Sequence, residues 1–66
     1  MANVDMLKDT IKESGMTVLA VCEKSDITKK TFYNRLKNPD FTIREALALK
    51  KTLRLNNSQF KQIFLQ

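Results

Sequence analysis

Apolar residues recur along this chain at three- and four-residue spacing, in short runs separated by capping and turn residues, a pattern typical of short amphipathic helices. Leu7 and Ile11 share one face of a first predicted helix over residues 4–14. Asn3 is a suitable N-cap for it. Gly15, the only glycine, stands where a left-handed residue would end the helix.

A second and a third helix with a tight turn between them are predicted for residues 17–37. Thr17 and Thr28 are N-cap residue types, because a hydroxyl accepts the unpaired N–H groups of a helix's first turn. Ser25-Asp26 is a turn signal between the two helices. The second helix therefore ends near residue 24, and the third begins at Thr28.

The third predicted helix, residues 28–37, has four basic residues and no acidic one. Phe32 and Leu36 form its apolar stripe, and this stripe must be buried. The basic, hydroxyl, amide and phenol groups therefore face solvent or a ligand, and they suit contacts to phosphates and base edges in a DNA groove. Arg35 lies away from this outer face, and we expect it to pair with an acidic side chain.

A proline-containing breaker at residues 38–40 precedes a fourth predicted helix. Thr42 and Glu45 have the spacing of a capping box at its start. Its apolar positions are three and four residues apart. They are Ile43, Ala46, Leu49 and Leu53.

A fifth helix is predicted over residues 57–64, after a second capping box at Asn56. We expect it to bury Phe60 and Phe64. Successive helical residues are about 100° apart, so one of the last apolar groups, Leu65, is expected to project outward.

Length and composition favour a single all-α domain spanning residues 1–66. The chain is 42% hydrophobic and 29% charged, with one glycine and one proline, so it offers few of the turns that β-sheet proteins need. It has no histidine, and Cys22 is its only cysteine, which argues against a zinc site. We expect Cys22 to be a buried packing residue and expect no cofactor. No nucleophile–base pair or glycine-rich phosphate loop indicates an enzyme.

Charge is distributed unevenly along the chain. The net charge is +5, while residues 29–54 contain eight basic and two acidic residues, a local net charge of +6. Such a separation is typical of a surface that binds a polyanion, although a lysine-rich solubilising surface would give the same excess. No stretch has the length of a membrane span or a signal peptide, so we expect an intracellular protein without a membrane partner.

Several motifs resemble the phage-repressor-like helix-turn-helix family, which contains Cro proteins and lambda-type repressors. They are the Gly15-Met16-Thr17 and Ile27-Thr28 helix entries and the runs TFYNRLKNP (31–39) and FTIREALALKKTLRL (41–55). The last two runs are similar to small Cro-type regulators of phages of Gram-positive hosts. The resemblance implies a compact five-helix lambda-repressor-like domain in which the second and third helices form the helix-turn-helix.

The resemblance also implies roles for individual residues. The family's base-reading positions fall on Thr28, Lys29, Lys30, Tyr33, Asn34 and Lys37. Its phosphate-contacting positions fall on Thr17, Val18, Asn38 and Thr42. Two positions depart from the family pattern. Asp26 replaces the usual turn glycine, and Val18 replaces a frequent glutamine and so offers no side-chain hydrogen bond.

The function implied is a sequence-specific DNA-binding transcriptional regulator in the cytoplasm of a bacterial host cell. Its recognition helix would enter the major groove of double-stranded DNA. Two copies would bind a palindromic operator as a weak homodimer favoured on DNA. The alternative is an antirepressor or modulator that binds another regulator protein, because fold does not determine function. Apolar groups outside the core would favour it, and Val18, Leu19 and Leu65 are candidates.

Overall fold

The computed structural model describes residues 2–65, and its regular structure is entirely helical within that range. Five helices follow one another: α1 (Val4–Ser14), α2 (Val18–Ser25), α3 (Lys29–Lys37), α4 (Ile43–Leu53) and α5 (Asn57–Phe64). The Cα atoms occupy a volume of 24 × 24 × 20 Å. The expected all-α class is therefore confirmed. None of these helices is long and apolar enough to cross a membrane.

Each of the five helices begins at the N-cap predicted for it. In every case the side-chain oxygen of the cap accepts a hydrogen bond from the backbone N–H three residues further on. The caps are Asn3, Thr17, Thr28, Thr42 and Asn56. The two predicted capping boxes are also present, at the starts of α4 and α5. Capping depends only on neighbours in sequence, so it can be predicted locally.

Three helices end at a residue in the left-handed conformation. Gly15 has φ 77° after α1, as predicted, and Asp26 has φ 54° in the turn between α2 and α3. Arg54 has φ 54° after α4, which the sequence pattern did not predict. A side chain with a Cβ is disfavoured in this conformation, and aspartate tolerates it better than arginine.

The core is formed by residues from all five helices. Its fully buried side chains are Leu7, Val21, Phe32, Leu49 and Ile63. The most extensive helix contact is between α2 and α4, where the hydroxyls of Ser25 and Thr52 lie 2.8 Å apart and satisfy each other. Cys22 is buried in the same core, as expected. The third helix packs on the others through Phe32, which is buried, and Leu36, which is half-buried against the core, as its predicted apolar stripe requires.

The prediction that Ile43 belongs to the apolar stripe of α4 was wrong. Its side chain is 80% exposed, whereas Glu45, Ala46 and Leu49 are buried. At about 100° per residue, these three buried positions lie on one side of the helix. Ile43 lies roughly 60° beyond Ala46 and about 160° from Glu45, so it falls outside the buried arc, in the first turn of the helix.

The prediction for α5 was wrong in its choice of buried residue. Ile63 is fully buried, while Phe60 and Phe64 are only half-buried. The helix packs against α1, and the backbone N–H of Asn3 donates to the carbonyl of Ile63 at 2.6 Å, which holds the last turn of α5 against the start of the chain. The outward position of Leu65 is confirmed, with 64% of its side chain exposed.

Candidate nucleic-acid interface

The outer face of α3 is a continuous polar and basic surface. All six residues predicted to read bases are exposed: Thr28, Lys29, Lys30, Tyr33, Asn34 and Lys37. The opposite side of the helix is anchored by Phe32, which is 1% exposed. Phe32 makes edge-to-face contacts with the rings of Tyr33 and Phe41, at centroid distances of 6.1 and 6.5 Å. The buried ring of Phe32, with half-buried Leu36, therefore holds the inner side of the helix and leaves its outer face free.

The first turn of α3 has a charge arrangement that folding alone does not favour. Lys29 and Lys30 follow the N-cap directly, where the positive end of the helix dipole disfavours cations. Both are exposed, and neither forms an ion pair within residues 2–65. A bound anion would relieve this repulsion, because it would interact favourably with the lysines and with the helix N-terminus together.

Arg35 pairs with Glu45, as expected for the basic residue on the inner side of α3. Its guanidinium donates two hydrogen bonds to the carboxylate, from Nε to Oε1 at 2.9 Å and from Nη2 to Oε2 at 3.3 Å. It is the only ion pair among the described residues. These hydrogen bonds lower the pKa of Glu45 below its usual value, against the opposing effect of burial, and raise the pKa of Arg35.

The same carboxylate fixes the segment that connects α3 to α4. Glu45 accepts the backbone N–H of Thr42 at 3.0 Å, while the Thr42 hydroxyl accepts the N–H of Glu45 at 3.1 Å. The segment 38–42 is therefore held from both helices. Because Arg35 neutralises Glu45, the remaining charges on α3 are its three lysines. The exposed carboxylates of Glu23 and Asp26 lie beside the start of the helix, and Asp40 follows its end.

The four residues predicted to contact phosphates differ in their availability. Thr17, Asn38 and Thr42 are exposed, whereas Val18 is half-buried and packs against the core. The hydroxyl oxygens of Thr17 and Thr42 accept capping hydrogen bonds, and each hydroxyl keeps a proton to donate. Val18 can offer only its backbone N–H, in the first turn of α2.

Two lysines of α1 join this surface and were not singled out from the sequence. Lys8 and Lys12 line one shallow depression together with Val18 and Tyr33. Both lysines are exposed. Their four-residue spacing places them on one face of α1, but sequence alone does not show that this face adjoins α3.

A hydrogen bond from Arg44 links the turn before α3 to the start of α4. The Nη2 atom of Arg44 donates to the backbone carbonyl of Asp26 at 3.2 Å. The left-handed residue of the turn is thus tied to the start of α4, and Arg35 ties the second half of α3 to the same helix through Glu45. The sequence pattern did not single out this contact, because the two residues are 18 positions apart.

Comparisons of the chain with protein-family models, curated proteins and solved structures return no match.

Neither metal nor thiol chemistry is indicated by the arrangement of residues 2–65. No group of three or more histidine, cysteine, aspartate or glutamate side chains that could hold a metal ion occurs among them. Burial raises the pKa of the Cys22 thiol, with a smaller opposing effect from Lys29. A thiol with a raised pKa is a poor nucleophile at neutral pH.

Proposed function

We propose that this chain is a sequence-specific DNA-binding transcriptional regulator of the Cro or repressor type, acting in the cytoplasm of a bacterial host. In this proposal α2 and α3 form a helix-turn-helix in a lambda-repressor-like domain, and α3 enters the major groove. The observation that carries the proposal is the outer face of α3, which is exposed, free of acidic residues and anchored from behind by Phe32.

The chemistry of that face fits the two kinds of contact that DNA recognition requires. The amide of Asn34 can donate to and accept from a base edge, and the lysines can bind phosphates or the acceptor atoms of guanine. Lys8 and Lys12 widen the positive surface beside Tyr33. Asn34 is also a poor residue for the interior of a helix, so its presence there favours a role outside folding.

The proposal is tested by fluorescence anisotropy with labelled random-sequence duplexes at several salt concentrations. The logarithm of the affinity should fall linearly with the logarithm of the salt concentration, with a slope of about −0.9 for each phosphate contact. A response that is flat in salt would refute the proposed DNA interface.

Specific binding is then tested on duplexes selected from a random pool. Asn34→Ala and Lys30→Ala should each weaken binding to the selected sequence by ~1–3 kcal/mol, the usual loss for one base contact. Their melting temperatures should stay close to that of the parent, because both side chains are exposed. Lys24→Ala removes an exposed lysine in the last turn of α2, at the other end of that helix from Thr17, and is the matched control.

A second candidate is a protein-binding antirepressor or modulator on the same fold. The observation that favours it is the exposure of several large apolar side chains, Leu19 and Leu65 among them, at 52% and 64%. A protein partner with an acidic surface would also accept the lysines of α3. Absence of duplex binding at low salt, combined with a defined complex with another regulator, would favour this candidate over the first.

A further inference from the structure

A shallow depression between α1 and α3 has an apolar floor and a basic rim. Its volume is about 330 Å³. Exposed side chains of Lys8, Lys12 and Tyr33 form the rim. The floor is formed by buried and half-buried side chains, namely Ile11, Met16, Val18, Phe32 and Leu36. We call this feature the α1–α3 depression.

We propose that the α1–α3 depression binds a small amphipathic anion, a carboxylate attached to an aromatic ring, and that this ligand competes with DNA. The first part concerns the free protein. The second part rests on the proposed function, because it places control of DNA binding at the edge of the same surface.

The floor of the depression suits a flat apolar group. The ring of Tyr33 is 45% exposed and borders the floor, and aromatic rings pair favourably in stacked and edge-to-face arrangements. Half-buried Met16 adds a polarisable thioether, which contacts aromatic rings favourably. Val18 and Leu36 supply aliphatic surface. A bound ring would therefore cover apolar surface that folding leaves partly in water.

The rim of the depression provides two cations that the fold does not neutralise. Lys8 and Lys12 are four residues apart and share one face of α1 with Ile11. Neither lysine forms an ion pair within residues 2–65. The acidic residues of α1 are absent from the lining of the depression. Cations at the edge of an apolar floor fit a ligand that joins an apolar body to a negative charge.

The start of α2 adds to the positive potential at this rim. Val18, which lines the depression, is the first residue of α2, and the first turn of that helix has no acidic residue. The positive end of the helix dipole therefore lies beside the two lysines without a compensating carboxylate. The phenol of Tyr33 can also donate a hydrogen bond. These groups favour a carboxylate in the ligand.

The size of the depression favours a small molecule over a protein partner. Small-molecule sites usually have volumes of roughly 300–1,000 Å³, and a volume of about 330 Å³ falls at the lower end of that range. A stable protein interface takes about 20–30 residues from each partner, far more than line this depression. One or two fused rings with a carboxylate match the available space.

The depression shares residues with the proposed DNA interface. Tyr33 is proposed to read bases and Val18 to lie near a phosphate, while Lys8 and Lys12 widen the positive surface beside them. A bound carboxylate would neutralise the lysines, and its ring would lie against Tyr33. Anion and duplex should therefore exclude each other, and by linkage each should weaken the binding of the other.

The first test needs no DNA. Proton–nitrogen correlation spectra of the parent are recorded during titration with naphthoate at constant ionic strength. Saturable shifts should map to residues 8–12, 16–18 and 32–36, with a dissociation constant of about a millimolar, the usual strength for a ligand of roughly a dozen non-hydrogen atoms. Naphthalenemethanol has the ring without the charge, and acetate has the charge without the ring. Both should bind much more weakly.

Lys8→Gln and Lys12→Gln should each weaken naphthoate binding by roughly two- to fivefold, the range for one exposed ion pair. Both positions are exposed and glutamine is a good helix former, so the variants should stay folded. Lys61→Gln is the matched control, because it removes the same charge from an exposed position of α5 that does not line the depression. It should leave the dissociation constant unchanged.

The inference is overturned if naphthoate gives no saturable shifts, if the shifts map elsewhere, or if naphthalenemethanol binds equally well. It also fails if Lys61→Gln weakens binding as much as Lys12→Gln does. An acidic peptide that binds the depression where naphthoate does not would overturn it as well.

The second test measures competition on a duplex selected from a random pool, by fluorescence anisotropy at constant ionic strength. Naphthoate at ten times its dissociation constant should raise the apparent dissociation constant of the duplex roughly tenfold, and acetate should leave it unchanged. Unchanged duplex affinity at saturating naphthoate would overturn the competition. If no duplex is bound at all, the proposed function fails, while the spectra still decide whether the depression binds the anion.

Discussion

Replacing each of the two adjacent aromatic residues of α3 should have very different consequences for stability. Phe32 is 1% exposed, whereas Tyr33 is 45% exposed. Truncation of a buried phenylalanine to alanine costs about 3–5 kcal/mol, and the edge-to-face contacts of Phe32 with two rings are lost with it. At roughly 0.05–0.15 kcal/mol per residue, a domain of this length has a total stability of about 3–10 kcal/mol. Phe32→Ala should therefore leave the domain largely unfolded or close to it.

Tyr33→Ala should cost about 1 kcal/mol or less, because nearly half of its side chain is already in water and only one ring contact is lost. Urea denaturation followed by far-ultraviolet circular dichroism measures both changes. If the slope of the unfolding free energy against urea concentration is the same in the parent and the variants, their denatured states are comparable. Equal losses in the two variants would show that α3 is oriented differently. Tyr33 could then not belong to the proposed DNA interface.

Other predictions concern single contacts. Hydrogen bonds with Arg35 are the main reason why the pKa of Glu45 is lower in the folded state than in the unfolded state. The ion pair therefore stabilises the folded protein fully at pH values above the unfolded pKa of Glu45. This stabilisation is lost as the pH falls through the folded pKa. The urea midpoint of the parent should therefore drop more steeply than that of Glu45→Gln as the pH falls below about 4.5, and parallel curves would contradict this. Gly15→Ala should lower the free energy of unfolding by about 1 kcal/mol, since φ there is 77° and no neighbouring atom lies where the added Cβ would be. An unchanged urea midpoint would refute the role of this glycine. Cys22 should react with thiol reagents only under unfolding conditions, because it is buried and its pKa is raised. Rapid labelling of the native protein would contradict that expectation.

Helix boundaries could be predicted from the sequence because they depend on near neighbours. A hydroxyl or amide at the N-cap accepts the N–H three residues later, and this local contact occurs at Thr17, Thr28 and the other three caps. The turn at Asp26 is similarly local, since aspartate tolerates the left-handed conformation found there. The outer face of α3 followed from the same reasoning, because its apolar stripe is narrow and clearly oriented.

Side-chain burial in α4 and α5 could not be predicted in the same way. Each helix has more apolar residues than one face can hold, so the packing of distant segments selects among them. In α5, which packs against α1, Ile63 is buried while Phe60 and Phe64 lie at the edge of the core. The hydrogen bond from Arg44 to Asp26 depends on tertiary structure as well.

The residues of α3 that hold the fold differ from those proposed to recognise DNA. A helix of nine residues is too short to be stable alone in water. It is held by Phe32 in the core, by the Thr28 cap and by the ion pair of Arg35 with Glu45. None of these contacts uses Lys30, Asn34 or Lys37. The outer side chains can therefore be substituted with little effect on the fold, while each substitution alters the chemistry offered to a ligand. The two lysines in the first turn even oppose the helix dipole, a cost to folding that becomes favourable once an anion such as a DNA phosphate binds.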